Sequence, residues 1–231
     1  MAALVALVVW PQIDLAVSGL FFVRGEGFIW RDAFLFKVLA WLAVYGSRAL
    51  GLLLIAGGLV ALWQSRPFLK LSGKTWLFLF FGLLIGPGFV ANVVFKDHWG
   101  RARPREVMEF GGPAAFSPAF YIRKECSTNC SFVSGDASFG FYLSAFAFVA
   151  PARRSRRVFW GAMALGSLFA AARVVIGAHF LSDILFAAFF MLIINTLLHS
   201  AMFGREKTAK CWKNWVGLSP CGRLIKPLKY R

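Results

Sequence analysis

Hydrophobic residues in this chain come in long runs rather than in alternation. Residues 2–22 form the first run, interrupted by Pro11 and Asp14. Residues 47–64, 75–95, 134–151, 158–177 and 181–203 form the others. Runs approaching about 20 apolar residues match the length a helix needs to cross a bilayer. The pattern predicts an all-α polytopic membrane helix bundle with about six transmembrane helices. Residues 24–46 mix Arg24, Glu26, Arg31, Asp32 and Lys37 with aromatics, which reads as an interfacial amphipathic segment. Residues 96–133 are the longest polar connection. Long ordered loops of this kind are usually functional. Residues 1–203 are expected to form one membrane domain, and residues 204–231 a basic, Trp-containing cytoplasmic tail.

Composition strengthens this picture. The chain has 231 residues, 59% of them hydrophobic, and a net charge of +16. So basic and so apolar a protein is expected to meet anionic lipid headgroups in a bilayer rather than nucleic acid, for which no motif stands out. No obligate protein partner is implied. The N-terminus has no basic region and no small-residue cleavage site, so it reads as a retained span rather than a signal peptide. Lys and Arg number three in 66–74, four in 153–157 and eight in 204–231. Those segments fall on one side of a six-span chain, which the distribution of cations assigns to the cytoplasm. Residues 24–46, 96–133 and 177–180 then face the opposite compartment. If that compartment is oxidising, Cys126 and Cys130 are placed either to pair or to stand as two thiols in a loop. Cys211 and Cys221 are expected on the reducing side.

Three polar clusters break the apolar pattern. The first is Lys96-Asp97-His98-Trp99-Gly100-Arg101-Ala102-Arg103-Pro104, directly after an apolar run. Arg binds phosphate oxygens bidentately and Lys supplies a point charge, so this is either a phosphate site or a solvated basic patch. The second is Ser134-Gly135-Asp136, at the start of the fourth run. A helix N-terminus offers free N–H groups to an anion, although Ser there can also be an ordinary cap. The third is Arg173, His179 and Asp183, set in apolar sequence where a cation requires an anionic partner. His179 and Asp183 are four apart and share a helix face. They form either a structural pair or a nucleophile whose tautomer a carboxylate fixes.

In their order and spacing, Lys96-x6-Arg103-Pro104, Ser134-Gly135 and Arg173-x5-His179-x3-Asp183 resemble the three-part pattern of the type 2 phosphatidic acid phosphatase superfamily, the PAP2/haloperoxidase family. The resemblance covers about residues 75–200. It implies that Lys96, Arg103, Ser134, Gly135 and Arg173 bind phosphate oxygens. It also implies that His179 attacks phosphorus to give a phosphohistidine, with Asp183 orienting it and no metal or other cofactor required. His98 and Arg101 are additional candidates within the first cluster. Two departures stand out: Ala172 precedes Arg173 where Ser is usual, and Asp136 stands where the family has a His that protonates the leaving oxygen. Asp136, His98, a leaving group that needs little protonation and a catalytically impaired site are the alternatives this leaves open.

The resemblance implies a multi-pass lipid phosphatase of the bacterial inner membrane with its site facing the periplasm. Lipid A, phosphatidic acid, phosphatidylglycerol phosphate and undecaprenyl diphosphate are the candidate substrates. Ser131-Phe132-Val133-Ser134-Gly135-Asp136 after Cys-x3-Cys is similar to bacterial lipid A phosphatases. A lipid phosphotransferase of the same fold and a non-catalytic anionic-lipid binder or transporter are the rival readings.

Overall fold

The computed structural model describes residues 2–218. The C-terminal part of the expected tail, with Cys221, lies outside the described residues. Helices α1 (Ala2–Val9) and α2 (Gln12–Gly19) lead into a two-residue hairpin, β1 (Phe22–Val23) and β2 (Gly27–Phe28). Helix α3 (Phe34–Trp63) follows, then α4 (Gly73–Leu83), which continues as a π-helical segment over Leu84–Lys96. After a long ordered loop come α5 (Gly135–Tyr142), α6 (Ala145–Val149), α7 (Ala152–Val175), α8 (Leu181–Phe203) and α9 (Arg205–Trp215).

Among the described residues, four helical stretches are long and apolar enough to cross a membrane: Phe34–Trp63, Gly73–Lys96, Ala152–Val175 and Leu181–Phe203. The expected first and fourth spans are each two short helices. Pro11 has no N–H to continue α1, and the chain restarts as α2 with Asp14 in its first turn. Helices α5 and α6 together cover 135–149 and are largely buried in the bundle rather than turned to lipid.

Three expected boundaries are corrected. Residues 34–46 are not a separate interfacial segment but the first turns of α3, which has 30 residues. At 1.5 Å per residue that helix is about 45 Å long and outreaches a hydrocarbon core of about 30 Å. Lys37 near its start pairs with Asp32 at 2.9 Å, and Arg48 lies over the Tyr45 ring. The basic stretch 153–157 is the first turn of α7, because Pro151 suits a helix start. Residues 205–215 are not a detached tail. They form α9, which folds back so that Trp215 is buried against Phe148 and Phe159 and its Nε1 donates to Ser155 Oγ at 2.7 Å.

Helix α5 sits at the centre. A Cβ on Gly140 would lie 2.5 Å from the Gly166 Cα of α7, so these two backbones meet where neither carries a side chain. Phe132, Phe139, Tyr142 and Phe148 fill the space around it.

The polar core lies at one end of the bundle. Arg101 is 0% exposed and forms ion pairs with Asp14 of α2 at 2.8 Å and Asp183 of α8 at 2.5 Å. Its Nη1 also donates to Ser182 Oγ and its Nε to the Ser117 carbonyl, while the Phe180 ring lies 4.4 Å from the guanidinium carbon. Asp14 accepts further bonds from the Ser182 N–H and hydroxyl. One cation thus ties α2, the long loop and α8 together. Removing one member of a buried pair strands the others, at a cost of about 3–5 kcal/mol. Arg101→Ala is therefore expected to lower the thermal unfolding midpoint in detergent sharply. An unchanged midpoint would show that this junction does not hold the fold.

Candidate active site

The π-helical segment delivers Lys96 to the polar end of the bundle. Asn92, one turn earlier, donates to the Pro87 carbonyl at 2.7 Å, where the wider turn leaves that oxygen open. Lys96 Nζ donates to Asn129 Oδ1 at 3.2 Å, and an Arg103 Nη donates to the Asn129 carbonyl at 2.6 Å. Asn129 lies in the loop that a Cys126–Cys130 disulfide closes. The Cys130 N–H donates to the Lys96 carbonyl at 3.2 Å, which lays that loop over both cations.

Ser134 caps α5, its Oγ accepting the Ala137 N–H at 3.4 Å. The first N–H groups of α5 lack helical acceptors, as at any helix start, and give this end of the site a positive field. Gly135 is pressed against the first cluster. A Cβ there would lie 3.0 Å from Lys96 Nζ and 3.0 Å from Asn92 Oδ1. Asp136, in the same turn, forms an ion pair with Arg173 at the end of α7.

The chain leaves α7 through Gly177, whose φ of +64° suits glycine. The Ala178 and His179 N–H groups both return to the Arg173 carbonyl, at 2.9 and 3.3 Å, so Arg173 and His179 are set by one turn. His179 Nδ1 lies 2.7 Å from the Ser131 carbonyl oxygen. A carbonyl only accepts, so Nδ1 carries the proton and Nε2 keeps its lone pair. Burial pulls the His179 imidazole down to about 4, opposed by Asp183, so the ring is neutral at physiological pH. A neutral imidazole with a free Nε2 beside a phosphate is a nucleophile.

Asp183 supports this ring indirectly. Its nearest oxygen is 3.6 Å from Nδ1, beyond a hydrogen bond. That oxygen accepts the Ser131 hydroxyl at 2.5 Å and the Phe180 N–H at 2.8 Å. The carboxylate therefore holds the residue whose carbonyl holds the histidine. It also lies close enough to favour an imidazolium electrostatically.

The sequence candidates divide into two groups. Lys96, Arg103, Ser134, Gly135, Asp136, Arg173 and His179 gather at one end of the bundle, with Asp183 behind them. Lys96 lies within electrostatic reach of Asp136, Arg103 and Arg173, and His179 within reach of Arg103 and Lys96. The two additional candidates do not join them. Arg101 is buried behind Asp183 and saturated by its carboxylates, so it is no phosphate ligand. His98 is exposed, with Nδ1 at 2.8 Å from the Val93 carbonyl of its own helix. Ser131, Asn129, Asp14 and Ser182 were missed as contributors. Asp14 had a signal, since a carboxylate in an apolar run calls for a partner. Ser131 stands in the stretch that resembles lipid A phosphatases but nothing in its type marks its role, and Asn129 has no signal, because each acts in part through its backbone carbonyl.

Comparison with known proteins agrees with this geometry. The model of the PAP2 superfamily matches residues 75–207. A protein of Francisella tularensis subsp. novicida (strain U112) named lipid A 4'-phosphatase is 35% identical over 208 residues, covering 89% of this chain and 93% of the relative. A protein of Rhizobium leguminosarum with the same name is 31% identical over 209 residues, covering 82% of this chain and 87% of the relative. No solved structure gives a significant match. The family match takes in all three polar clusters and more than half of the sequence, and the chain belongs to the PAP2 superfamily.

Proposed function

We propose that this protein is a lipid phosphatase that removes a phosphate monoester from a lipid A-type glycolipid through a phosphohistidine on His179. The observation that carries the reading is His179 itself. It is buried and neutral, its Nδ1 proton is committed to the Ser131 carbonyl so that Nε2 keeps its lone pair, and the ring lies within electrostatic reach of Arg103 and Lys96. The two relatives named as lipid A 4'-phosphatases support the substrate class.

In this mechanism Lys96, Arg103, Arg173 and the first N–H groups of α5 neutralise the phosphoryl oxygens. Phosphoryl transfer is mainly positioning and charge stabilisation, which such a cradle provides. His179 Nε2 bonds to phosphorus as the bond to the lipid oxygen breaks, and water later cleaves the phosphorus–nitrogen bond. Asp183 steadies the imidazolium-like phosphohistidine through Ser131. Asp136 pairs with Arg173 as a carboxylate; when the phosphate takes its place on that guanidinium, Asp136 takes up the proton of the phosphate monoanion and passes it to the leaving lipid oxygen, and it later accepts a proton from the water that cleaves the phosphorus–nitrogen bond.

The site is proposed to face the periplasm from the inner membrane. The ends of α7 and α8 that carry Arg173 and His179 lie opposite the ends that carry Arg153–Arg157 and α9, and cations concentrate on the cytoplasmic side. The Cys126–Cys130 disulfide beside the site fits an oxidising compartment.

Three outcomes are expected. Purified protein in detergent releases inorganic phosphate from lipid A, and His179→Ala releases none above background; undiminished release by that variant would end the nucleophile assignment. Phosphate that leaves lipid A only when a lipid acceptor is added, and that appears on the acceptor rather than as inorganic phosphate, would instead favour a phosphotransferase. Asp136→Asn is expected to slow hydrolysis of esters with poor leaving groups by roughly 10²-fold, and to slow p-nitrophenyl phosphate much less. Equal losses on both esters would remove Asp136 as the acid. Gly135→Ala places a methyl against Lys96 Nζ and is expected to raise KM more than it lowers kcat, which steady-state kinetics would resolve.

A further inference from the structure

A second polar cavity opens beside the active site. It has a volume of about 280 Å³ and lies between the β1–β2 hairpin, the turn at 29–32 and Arg105. That size is near the lower end of ordinary ligand sites, which begin at about 300 Å³. Three rings form its apolar wall. Phe22, Phe28 and Phe110 meet at centroid distances of 5.5, 5.1 and 5.5 Å. Glu26, Arg31, Asp32 and Arg105 supply its polar lining.

This cavity is joined to the catalytic turn. The Arg105 N–H donates to the Gly177 carbonyl at 3.1 Å, two residues before His179. Phe28 packs on the same turn, where a Cβ at Gly177 would come within 2.5 Å of its ring. Arg105 is also two residues from Arg103, a member of the phosphate cradle.

The lining carries two carboxylates and two guanidiniums, yet among the described residues none of the four pairs with another. Asp32 is engaged by Lys37 at 2.9 Å. Glu106 caps the Arg103 N–H and approaches Arg105 Nε only to 3.9 Å. Among the described residues Arg31 has no ion pair. Burial, followed by the neighbouring Arg103 and Arg31, lowers the Arg105 guanidinium from its ordinary value, and Glu106 opposes the shift. Aromatic rings beside carboxylates and guanidiniums suit a sugar. Rings cover its C–H face, carboxylates accept from its hydroxyls, and guanidiniums take an acidic substituent.

We propose that this cavity is a headgroup subsite, which takes a sugar ring of the glycolipid other than the one under attack, with an acidic substituent on that ring held by Arg31 and Arg105. The proposal rests on the phosphatase reading and adds to it what selects the substrate. Lys96, Arg103 and Arg173 answer only the scissile phosphate, which any phosphate monoester carries. The cavity answers the part of the molecule that phosphatidic acid lacks.

The test compares Arg31→Gln and Arg105→Gln with wild type, in neutral detergent, on three substrates. These are a glycolipid bearing the scissile phosphate and a second phosphate, the same glycolipid bearing only the scissile one, and phosphatidic acid. Each variant is expected to lower kcat/KM for the doubly phosphorylated glycolipid, relative to that for phosphatidic acid, by roughly ten- to hundredfold. The loss should lie mainly in KM and should shrink on the singly phosphorylated glycolipid. Arg31 is exposed, so its replacement leaves packing intact and separates loss of the subsite from misfolding. Ratios unchanged in both variants, with the wild type active on the glycolipid, would overturn the subsite and leave the phosphatase reading standing. Inorganic phosphate that speeds wild-type cleavage of the singly phosphorylated glycolipid, but not cleavage by Arg105→Gln, would reassign the guanidiniums to a free anion and overturn the substituent. A wild type inactive on all three substrates would overturn the phosphatase reading, and the subsite with it.

Discussion

The rest of this structure depends on one buried guanidinium. Arg101 stands between Asp14 and Asp183, with Ser182 bonded to both Arg101 and Asp14. In a low-dielectric interior none of these charges is tolerable alone, so the three segments that carry them must meet. Asp14 brings α2 to the bundle, Arg101 brings in the long loop, and Asp183 fixes the start of α8. The active-site histidine is built on this junction, because Asp183 holds Ser131 and Ser131 holds His179. Stability and chemistry therefore share one carboxylate, which anchors the fold with one oxygen and the catalytic ring with the other.

The same economy runs through the phosphate cradle. Each of the three cations of this proposed cradle has a resting partner. Lys96 and Arg103 lean on Asn129, and Arg173 rests on Asp136. These contacts keep long, flexible side chains ordered, so less rotamer entropy is lost when an anion arrives. Two of the three go to neutral amide oxygens, which a phosphate outcompetes without the cost of breaking an ion pair. The exception is Arg173, whose partner Asp136 is the proposed acid for the leaving oxygen.

Membrane placement gives the arrangement its direction. Helices α7 and α8 are long and apolar, and they carry the catalytic groups at the joined ends of the two spans. In the proposed function this is the end at which the lipid ester would meet His179. The hairpin and Arg105 lie at this level too, beside the catalytic turn.

The sequence by itself determined the class of the protein and named most residues of the proposed cradle. Apolar runs near the length of a bilayer leave few architectures open, and Lys96, Arg103, Ser134, Gly135, Arg173 and His179 are recognisable by type and spacing. Local pattern misled wherever tertiary partners changed the cost of a charge. Lys37 belonged to an expected interfacial segment and Arg153–Arg157 to an expected connection between spans, yet they sit in the first turns of α3 and α7, where Asp32 pairs with Lys37 and the arginines are exposed. Arg101 looked like its neighbours Lys96 and Arg103, and only the fold turned it inward to Asp14, 87 residues away. Ser131 and Asn129 were illegible because they act in part through carbonyl oxygens, which every residue possesses. Residue type encodes side-chain chemistry; where a backbone oxygen points, and which distant carboxylate a cation meets, exists only once the chain has packed.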